Sequence, residues 1–368
     1  MKAISKASAA LNAICPYFTM FPLDFPLGVL RRHGRKGQRV LDPFCGRGTT
    51  NYAARLLGLD SLGVDSSPVA AAITEAKLVA VCPGDIVAEA RAILTGPPAL
   101  AVPHGEFWTW GFHPTTLEDV CRLREALVSD CAAPARVALR GILLGALHGP
   151  RQKTFPSYFS NQCPRTYAPK PGYATRFWQQ RRMEAQQVDV LAVIERRASR
   201  CYGAWMAPIG SARLGDSRRP DSLQGTAQEA SFDWVITSPP YYGMRTYLPD
   251  QWLRYWFLGG PDQVVYHSEA QLGHRSPDLF AAELRQVWRN AAAVSKGAAK
   301  LVVRFGGISD RRAAPREIAA ESLQESGWRV LATRPAGTAT EGRRQADAFL
   351  NSRSKPIAEI DLWAKRQQ

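Results

Sequence analysis

Asp42-Pro43-Phe44-Cys45-Gly46-Arg47-Gly48-Thr49-Thr50 is the stretch that decides how this chain of 368 residues is read. It is entered from Arg39-Val40-Leu41-Asp42, which reads as a short buried strand, and it leaves into a helical pattern over 49–57. Thr49 or Thr50 is available as the helix N-cap, and Gly58 stands at its end. Gly46 and Gly48 let the backbone turn tightly and approach a ligand where a Cβ would clash. The free N–H groups of the following helix favour polar or anionic ligand atoms. A second strand, 61–65, ends on Asp65, and an Ala-rich helix begins at Pro68. Strand, glycine loop, helix and strand in this order open a doubly wound α/β sheet.

Asp65 sharpens the reading. A carboxylate at the end of the second strand can accept both hydroxyls of a ribose. Asn51 stands where a dinucleotide fingerprint has its third glycine. That argues against a dinucleotide and for a nucleoside cofactor without a pyrophosphate.

The alternation resumes far downstream. Residues 212–216 give a third strand end, with Asp216 at its tip, and 232–237 (FDWVIT) a fourth strand. A helix over 278–294, a strand over 300–305, a helix over 315–326 and two final strands, 328–333 and 357–363, complete the alternation. About 110 residues interrupt the second and third strands, too long for a simple loop. The interruption contains helical patterns over 116–128, 135–147 and 173–200. The expected division is 1–95, a cofactor-binding half; 96–206, a mainly helical insertion; and 207–368, a catalytic half ending in a hairpin.

The fourth strand runs into Ser238-Pro239-Pro240-Tyr241. Two prolines remove backbone donors and stiffen the turn, leaving the Ser hydroxyl and the flanking carbonyls as acceptors beside a Tyr ring. Acceptors beside an aromatic plate suit a flat heterocycle that presents an exocyclic NH2.

DPFCGRGTT together with TSPPY resembles the S-adenosylmethionine-dependent amino-methyltransferases of DNA, which methylate N4 of cytosine or N6 of adenine. The resemblance covers roughly 15–80 and 208–310 plus the final hairpin. It implies a Rossmann-like class I methyltransferase fold with a mostly parallel seven-stranded sheet and S-adenosylmethionine as cofactor. It also implies cofactor contacts from Asp42, Phe44, Gly46, Gly48, Thr50, Asp65 and Asp216. Tyr17–Leu30, with Phe21, is similar to the segment that completes the cofactor pocket. Ser238, Pro239, Pro240 and Tyr241 take the catalytic place, the base being flipped out of the duplex and stacked on Tyr241. Serine before Pro-Pro-Tyr is the form usual among N4-cytosine enzymes, so cytosine N4 in double-stranded DNA is the expected target. Adenine N6 and, further off, an RNA base are the alternatives. A cognate restriction endonuclease acting on the same site is a further expected partner. One departure is motif order: the glycine loop precedes SPPY here, whereas many SPPY enzymes have the reverse.

Composition sets the outer bounds. Lys and Arg number 47 against 32 Asp and Glu, a formal +15, and the apolar fraction of 45% is ample for a buried core. A disordered or fibrous chain is excluded. No run of about 18 apolar residues suggests a membrane span. Seven scattered cysteines without a CxxC pair read as reduced thiols in a cytoplasmic protein, with no disulfide frame and no metal site. Arg supplies 37 of the cations, which base composition of a genome alone can explain, so location matters more than the sum. Between 151 and 219 stand 13 basic and 4 acidic residues, interleaved with aromatics. Phosphate contact and base stacking need that mixture. Arg151, Lys153, Arg165 and Lys170, with Arg245 after SPPY, are the expected nucleic-acid contacts. Phe177 and Trp178 are expected to pack on the core, as are Trp252, Tyr255, Trp256 and Phe257.

Overall fold

The structure is a computed structural model that describes residues 4–17, 21–149, 156–163, 169–204, 206–207, 209–224, 231–243, 247–266, 271–307, 314–338 and 358–367. The chain folds as two compact units, each assembled from separate segments. One is a sheet unit of 18–74, 209–245 and 268–368; the other is a helical unit of 1–17, 75–208 and 246–267.

Seven strands among the described residues form one sheet in the sheet unit: β1 Arg39–Asp42, β2 Asp60–Asp65, β3 Ser211–Leu214, β4 Phe232–Thr237, β5 Ser295–Phe305, β6 Trp328–Thr338 and β7 Ala358–Arg366. Their order is β3-β2-β1-β4-β5-β7-β6. The first five run parallel, with Asp42 beside Gly63, Asp65 beside Leu214 and Thr237 beside Val303. β7 is antiparallel to both β5 and β6. This is the Rossmann-like, mostly parallel seven-stranded sheet expected from the sequence, with the final strands paired as a hairpin. Parallel strands buried on both faces read as apolar runs, which is why Val40-Leu41 and Trp234-Val235-Ile236 were legible.

The core packs against the helix Pro277–Ala293, whose Phe280, Leu284, Val287 and Trp288 are buried with Leu41, Val235 and Leu301. Ser276 caps that helix by accepting from the Leu279 N–H. The indole of Trp288 donates to Ser322 Oγ at 3.1 Å, joining it to the helix Pro315–Leu323. Arg304 holds Asp361 in a bidentate pair (2.7 and 2.8 Å) across the β5–β7 ladder and stacks over Phe25.

In the helical unit, Pro opens the helices Pro83–Leu94, Pro114–Ser129, Pro134–Ala146 and Pro171–Gln180, where its missing N–H costs nothing. An aromatic cluster forms the centre: Trp108 and Trp256 lie 4.5 Å apart and Phe107 and Trp252 4.9 Å. Trp252, Trp256 and Phe257 are buried anchors, as expected. The single helix expected over 173–200 is instead two, Pro171–Gln180 and Val190–Tyr202. Arg182 at φ 50° ends the first, and the Asp189 carboxylate caps the second by accepting from Ala192 N at 2.9 Å. The local cap outweighed the helical propensity of Gln-Gln-Arg-Arg. None of the described helices is long and apolar enough to cross a membrane.

Gly141 and Gly145 lie on one face of the helix Pro134–Ala146. A Cβ at Gly141 would stand 2.3 Å from Ala76 Cβ, and one at Gly145 2.0 Å from the backbone oxygen of Ile14. Backbone cannot move aside as a side-chain tip can. Gly145→Ala is therefore expected to lower stability by about 1–3 kcal/mol through overpacking, although Ala is the better helix former by ~1 kcal/mol. Denaturant titration checks this; an unchanged or raised midpoint contradicts the close approach.

Candidate active site at the ends of the parallel strands

The chain reverses direction across the sheet between β1 and β4, and ligands of open α/β sheets bind in the crevice at such a switch point. β1 ends there on Asp42 and β4 on Thr237, with Ser238 next in the chain. Thr237 Oγ1 donates to Asp42 Oδ1 at 2.6 Å, and the Phe44 N–H reaches the same oxygen at 3.1 Å. Asp42 is 2% exposed. Burial drives its carboxyl up to about 7 against these hydrogen bonds, which favour the charged form.

The glycine loop adopts the backbone that the sequence suggested. Gly46 has φ 52° and Gly48 φ 71°, both left-handed, and Gly48 rather than a threonine occupies the N-cap of the helix Thr49–Leu56. A Cβ on Gly48 would lie 2.6 Å from Thr74 Oγ1, which itself donates to the Gly46 carbonyl. Asp65, at the tip of β2, accepts from the N–H groups of Gly46 and Ser67, each at 2.9 Å. Burial raises its pKa, opposed by those backbone bonds. Thr50 is fully buried in the first turn of the helix. Phe44 sits edge-on to Trp288 at 6.2 Å, and Phe21 is buried edge-on to Phe25 at 5.5 Å. Cys45 is buried between the two acids, and its thiol is pushed well above its ordinary value, first by desolvation and then by their charges. It is a protonated side chain at neutral pH and no nucleophile.

Asp216 lies two residues beyond β3, in a loop tied to the glycine loop where Ser217 Oγ donates to the Pro43 carbonyl at 2.7 Å. Its carboxylate is held bidentately by Arg218, through Nε at 3.0 Å and Nη2 at 2.7 Å. Arg218 also reaches Glu283 at 3.1 Å, and Glu283 accepts from the Gly273 N–H at 2.7 Å. The next residue, His274, accepts at Nδ1 from Gly243 N–H, two residues past Tyr241.

In the SPPY turn, Ser238 and Pro240 are partly exposed, while Pro239 is buried and faces Trp288, Phe305 and Leu362. Tyr241 departs from the expectation. Its ring is 4% exposed, edge-on to Phe305 at 5.7 Å, and its hydroxyl donates to Glu359 of β7 at 2.8 Å. In this arrangement it is a packed wall, with no open face on which a base could stack. A large aromatic next to an apolar hairpin gains more from burial than from exposure, and its hydroxyl finds a buried acceptor.

Asp42, Phe44, Gly46, Gly48, Thr50, Asp65, Asp216 and Ser238–Tyr241 are thus carried at or just beyond the strand ends of the sheet unit. Lys170 belongs to the helical unit, where it pairs with Asp250 at 3.4 Å. Arg151, Lys153, Arg165 and Arg245 lie outside the described residues. Thr237, Ser217, Arg218, Glu283, His274 and Glu359 were not foreseen. Only Thr237 carried a local signal, as the hydroxyl at a strand end next to the motif.

The acceptor set suits a cationic nucleoside. Three carboxylates at adjacent strand ends can accept an ammonium group, ribose hydroxyls and an amino group, and the left-handed glycines keep the loop free of side chains.

A folded-state pKa raised above the usual 3.8 means that Asp42 favours the fold when protonated and loses that contribution as pH rises toward 7. Asp42→Asn keeps the acceptor oxygen for Thr237 and removes the buried charge. It is expected to raise stability at pH 8 by up to about 4 kcal/mol, the gain fading as pH falls from about 7 toward 4. Denaturant midpoints at the two pH values check it; a loss of stability at pH 8 contradicts the sign.

Known proteins fall in line over the first of these motifs. Residues 4–76 match a family model described as DNA methylase. Over 68 residues the chain is 37% identical to the Type II methyltransferase M.MjaII of Methanocaldococcus jannaschii, covering 18% of this chain and 13% of that protein. Over 34 residues it is 50% identical to the Type II methyltransferase M.BsoBI of Geobacillus stearothermophilus, covering 9% of this chain and 7% of that one. The matches thus span far less than two thirds of either relative. Among solved structures, the rRNA methyltransferase aviRa from Streptomyces viridochromogenes aligns over 99% of this chain and 94% of its own, with 13% identity and a TM-score of 0.37. Residues 4–76, with the strand, glycine loop and Asp65, carry the amino-methyltransferase likeness of this chain, and that likeness supports S-adenosylmethionine as the cofactor.

Proposed function

We propose that this protein transfers a methyl group from S-adenosylmethionine to an exocyclic amine of a base in double-stranded DNA, with N4 of cytosine as the target. The observation that carries the reading is the 2.6 Å bond from Thr237 to Asp42, which sets the SPPY turn beside the glycine loop. Asp42 would take the ammonium group of the cofactor, Asp65 the ribose hydroxyls and Asp216 the adenine amino group. A carboxylate has lone pairs to spare, so Asp216 can keep Arg218 and accept one hydrogen bond more. The cofactor supplies an electrophilic methyl on sulfur.

An exocyclic amine conjugated with its ring is a poor nucleophile. Ser238 Oγ and the Pro239 carbonyl would accept hydrogen bonds from its two N–H groups, pulling the nitrogen toward sp3 and freeing its lone pair. Bound S-adenosylmethionine would supply the methyl group and leave as the neutral thioether, and Ser238 would give the surplus proton of the methylated nitrogen a path to solvent. Most of the rate gain is positioning and electrostatics. The target atom is inaccessible in a duplex, so the base must be flipped out. With Tyr241 packed against Phe305 and anchored on Glu359, its role is to shape the wall behind the turn. Serine before Pro-Pro-Tyr favours cytosine over adenine. The segment 96–206 is proposed to contribute target recognition, the cell compartment to be the cytoplasm, and a restriction endonuclease of the same site to be the functional companion.

Transfer of labelled methyl groups to duplex DNA followed by nucleoside mass spectrometry tests the reading. N4-methyldeoxycytidine is the expected product; N6-methyldeoxyadenosine overturns the choice of base, and label in RNA alone overturns the choice of DNA. A second expectation concerns the wall. Tyr241→Phe, which keeps the ring and loses the bond to Glu359, should leave the cofactor Kd within about twofold and lower kcat by about tenfold, a modest loss of positioning. Calorimetric titration and initial rates give the two numbers; equal loss of both would make Tyr241 part of the cofactor pocket.

A further inference from the structure

The basic stretch expected to touch nucleic acid separates into two populations. Arg196 donates to the Pro156 carbonyl and Arg197 to that of Ser157, so both hold the loop 156–159 to the helix Val190–Tyr202. Arg213 gathers the carbonyls of Ser222 and Gln224, and Arg218 is fixed on Asp216. These cations serve the fold.

The helix Pro171–Gln180 is different. Its inner face buries Ala174, Thr175 and Trp178, with the Trp178 indole donating to the Gln162 carbonyl. Its outer face carries Tyr173, Arg176, Phe177 and, just past the end, Arg181. The rings of Tyr173 and Phe177 are stacked, 22° from parallel with centroids 6.4 Å apart. The guanidinium of Arg181 lies over Phe177 at 4.0 Å. Tyr173, Phe177 and Arg181 at four-residue spacing thus form one column along the helix. Tyr173 is 38% exposed, and Arg176 and Arg181 are exposed beside it. Among the described residues neither arginine has a carboxylate partner, and the stretch 171–182 contains no acid. A structural aromatic face would turn inward, as Trp178 does. Here the aromatics turn outward, and cations that could have been neutralised are left facing solvent.

We propose that this column is a DNA-binding surface, with Arg176 and Arg181 on backbone phosphates and an exposed base or sugar face laid on Tyr173. Charge complementarity selects a polyanion, and a flat aromatic beside the cations selects one that carries bases. The assignment rests on the DNA reading above and names the surface that serves it. Phe177 acts through its neighbours: it holds the Arg181 guanidinium flat, so that its N–H fork is presented edge-on to a phosphate.

The test measures binding of the full chain to a duplex of about 30 base pairs across a salt series, and to an oligothymidylate strand of about 20 nucleotides with its abasic counterpart. Arg176→Gln combined with Arg181→Gln should reduce the slope of log affinity against log salt by about 2, since each phosphate contact contributes about 0.9. Tyr173→Ala should weaken the base-bearing strand by about 5- to 100-fold and leave the abasic strand nearly unchanged. Arg181→Lys should retain most of the salt slope yet lose affinity, because an ammonium cannot stack. Thermal melting and cofactor binding, expected to match the wild type, exclude a folding defect. Wild-type DNA binding with unchanged slope and unchanged base-to-abasic ratio in the variants overturns the surface. A wild type that binds neither duplex nor strand overturns the DNA reading itself.

Discussion

Much of the sheet unit depends on one hydrogen bond between neighbouring strands. Thr237 and Asp42 stand at the ends of β4 and β1, the pair of strands between which the chain changes direction, and their side chains meet at 2.6 Å. A buried carboxylate is costly, and its hydrogen bonds compensate it only in part, so its pKa rises to about 7. A fold under selection for stability alone would place an amide or an apolar side chain there. In the proposed function the same carboxylate meets a cationic cofactor, which relieves the unpaired charge. The local instability is then the other side of the affinity, and the site is ready before its ligand arrives.

The same constraint organises what surrounds it. The glycine loop closes on Asp65 through its own backbone N–H, and Ser217 ties the Asp216 loop to Pro43. From Asp216, polar contacts run through Arg218 and Glu283 to the Gly273 N–H, and His274 beside it holds Gly243 just past the SPPY turn. The candidate cofactor side and the candidate base side are therefore joined by side chains that bear no mark in either motif. On the far side of the turn, Tyr241 is anchored to the last strand by Glu359, 118 residues away in the chain. A ring chosen in the sequence as a plate for a base is thus, in the fold, part of a wall.

Cation placement follows a similar division. In sequence the arginines between 151 and 219 look alike. In the structure Arg196, Arg197, Arg213 and Arg218 saturate carbonyls and carboxylates within the fold, whereas Arg176 and Arg181 are exposed beside Tyr173 and Phe177 on the outer face of one helix. Charge counted along a chain cannot tell these apart, because the difference lies in which neighbours the fold delivers.

The sequence by itself determined the parallel sheet, the glycine loop with its left-handed residues, and the acids at the tips of β1 and β2. Each rests on a local rule: apolar runs for strands buried on both faces, glycine where φ is positive, and side-chain type at a strand end. It did not determine that the residues 173–200 break into two helices, since the cap at Asp189 and the turn at Arg182 compete with propensity over only a few residues. Nor did it determine the partners of Asp42, Asp216 and Tyr241. Those contacts join residues from separate strands and loops, and the burial that shifts a carboxylate or fixes a tyrosine arises only when the sheet, its helices and its hairpin close around them. Tertiary structure decided these because desolvation and long-range hydrogen bonding belong to the packed environment and not to any stretch of chain.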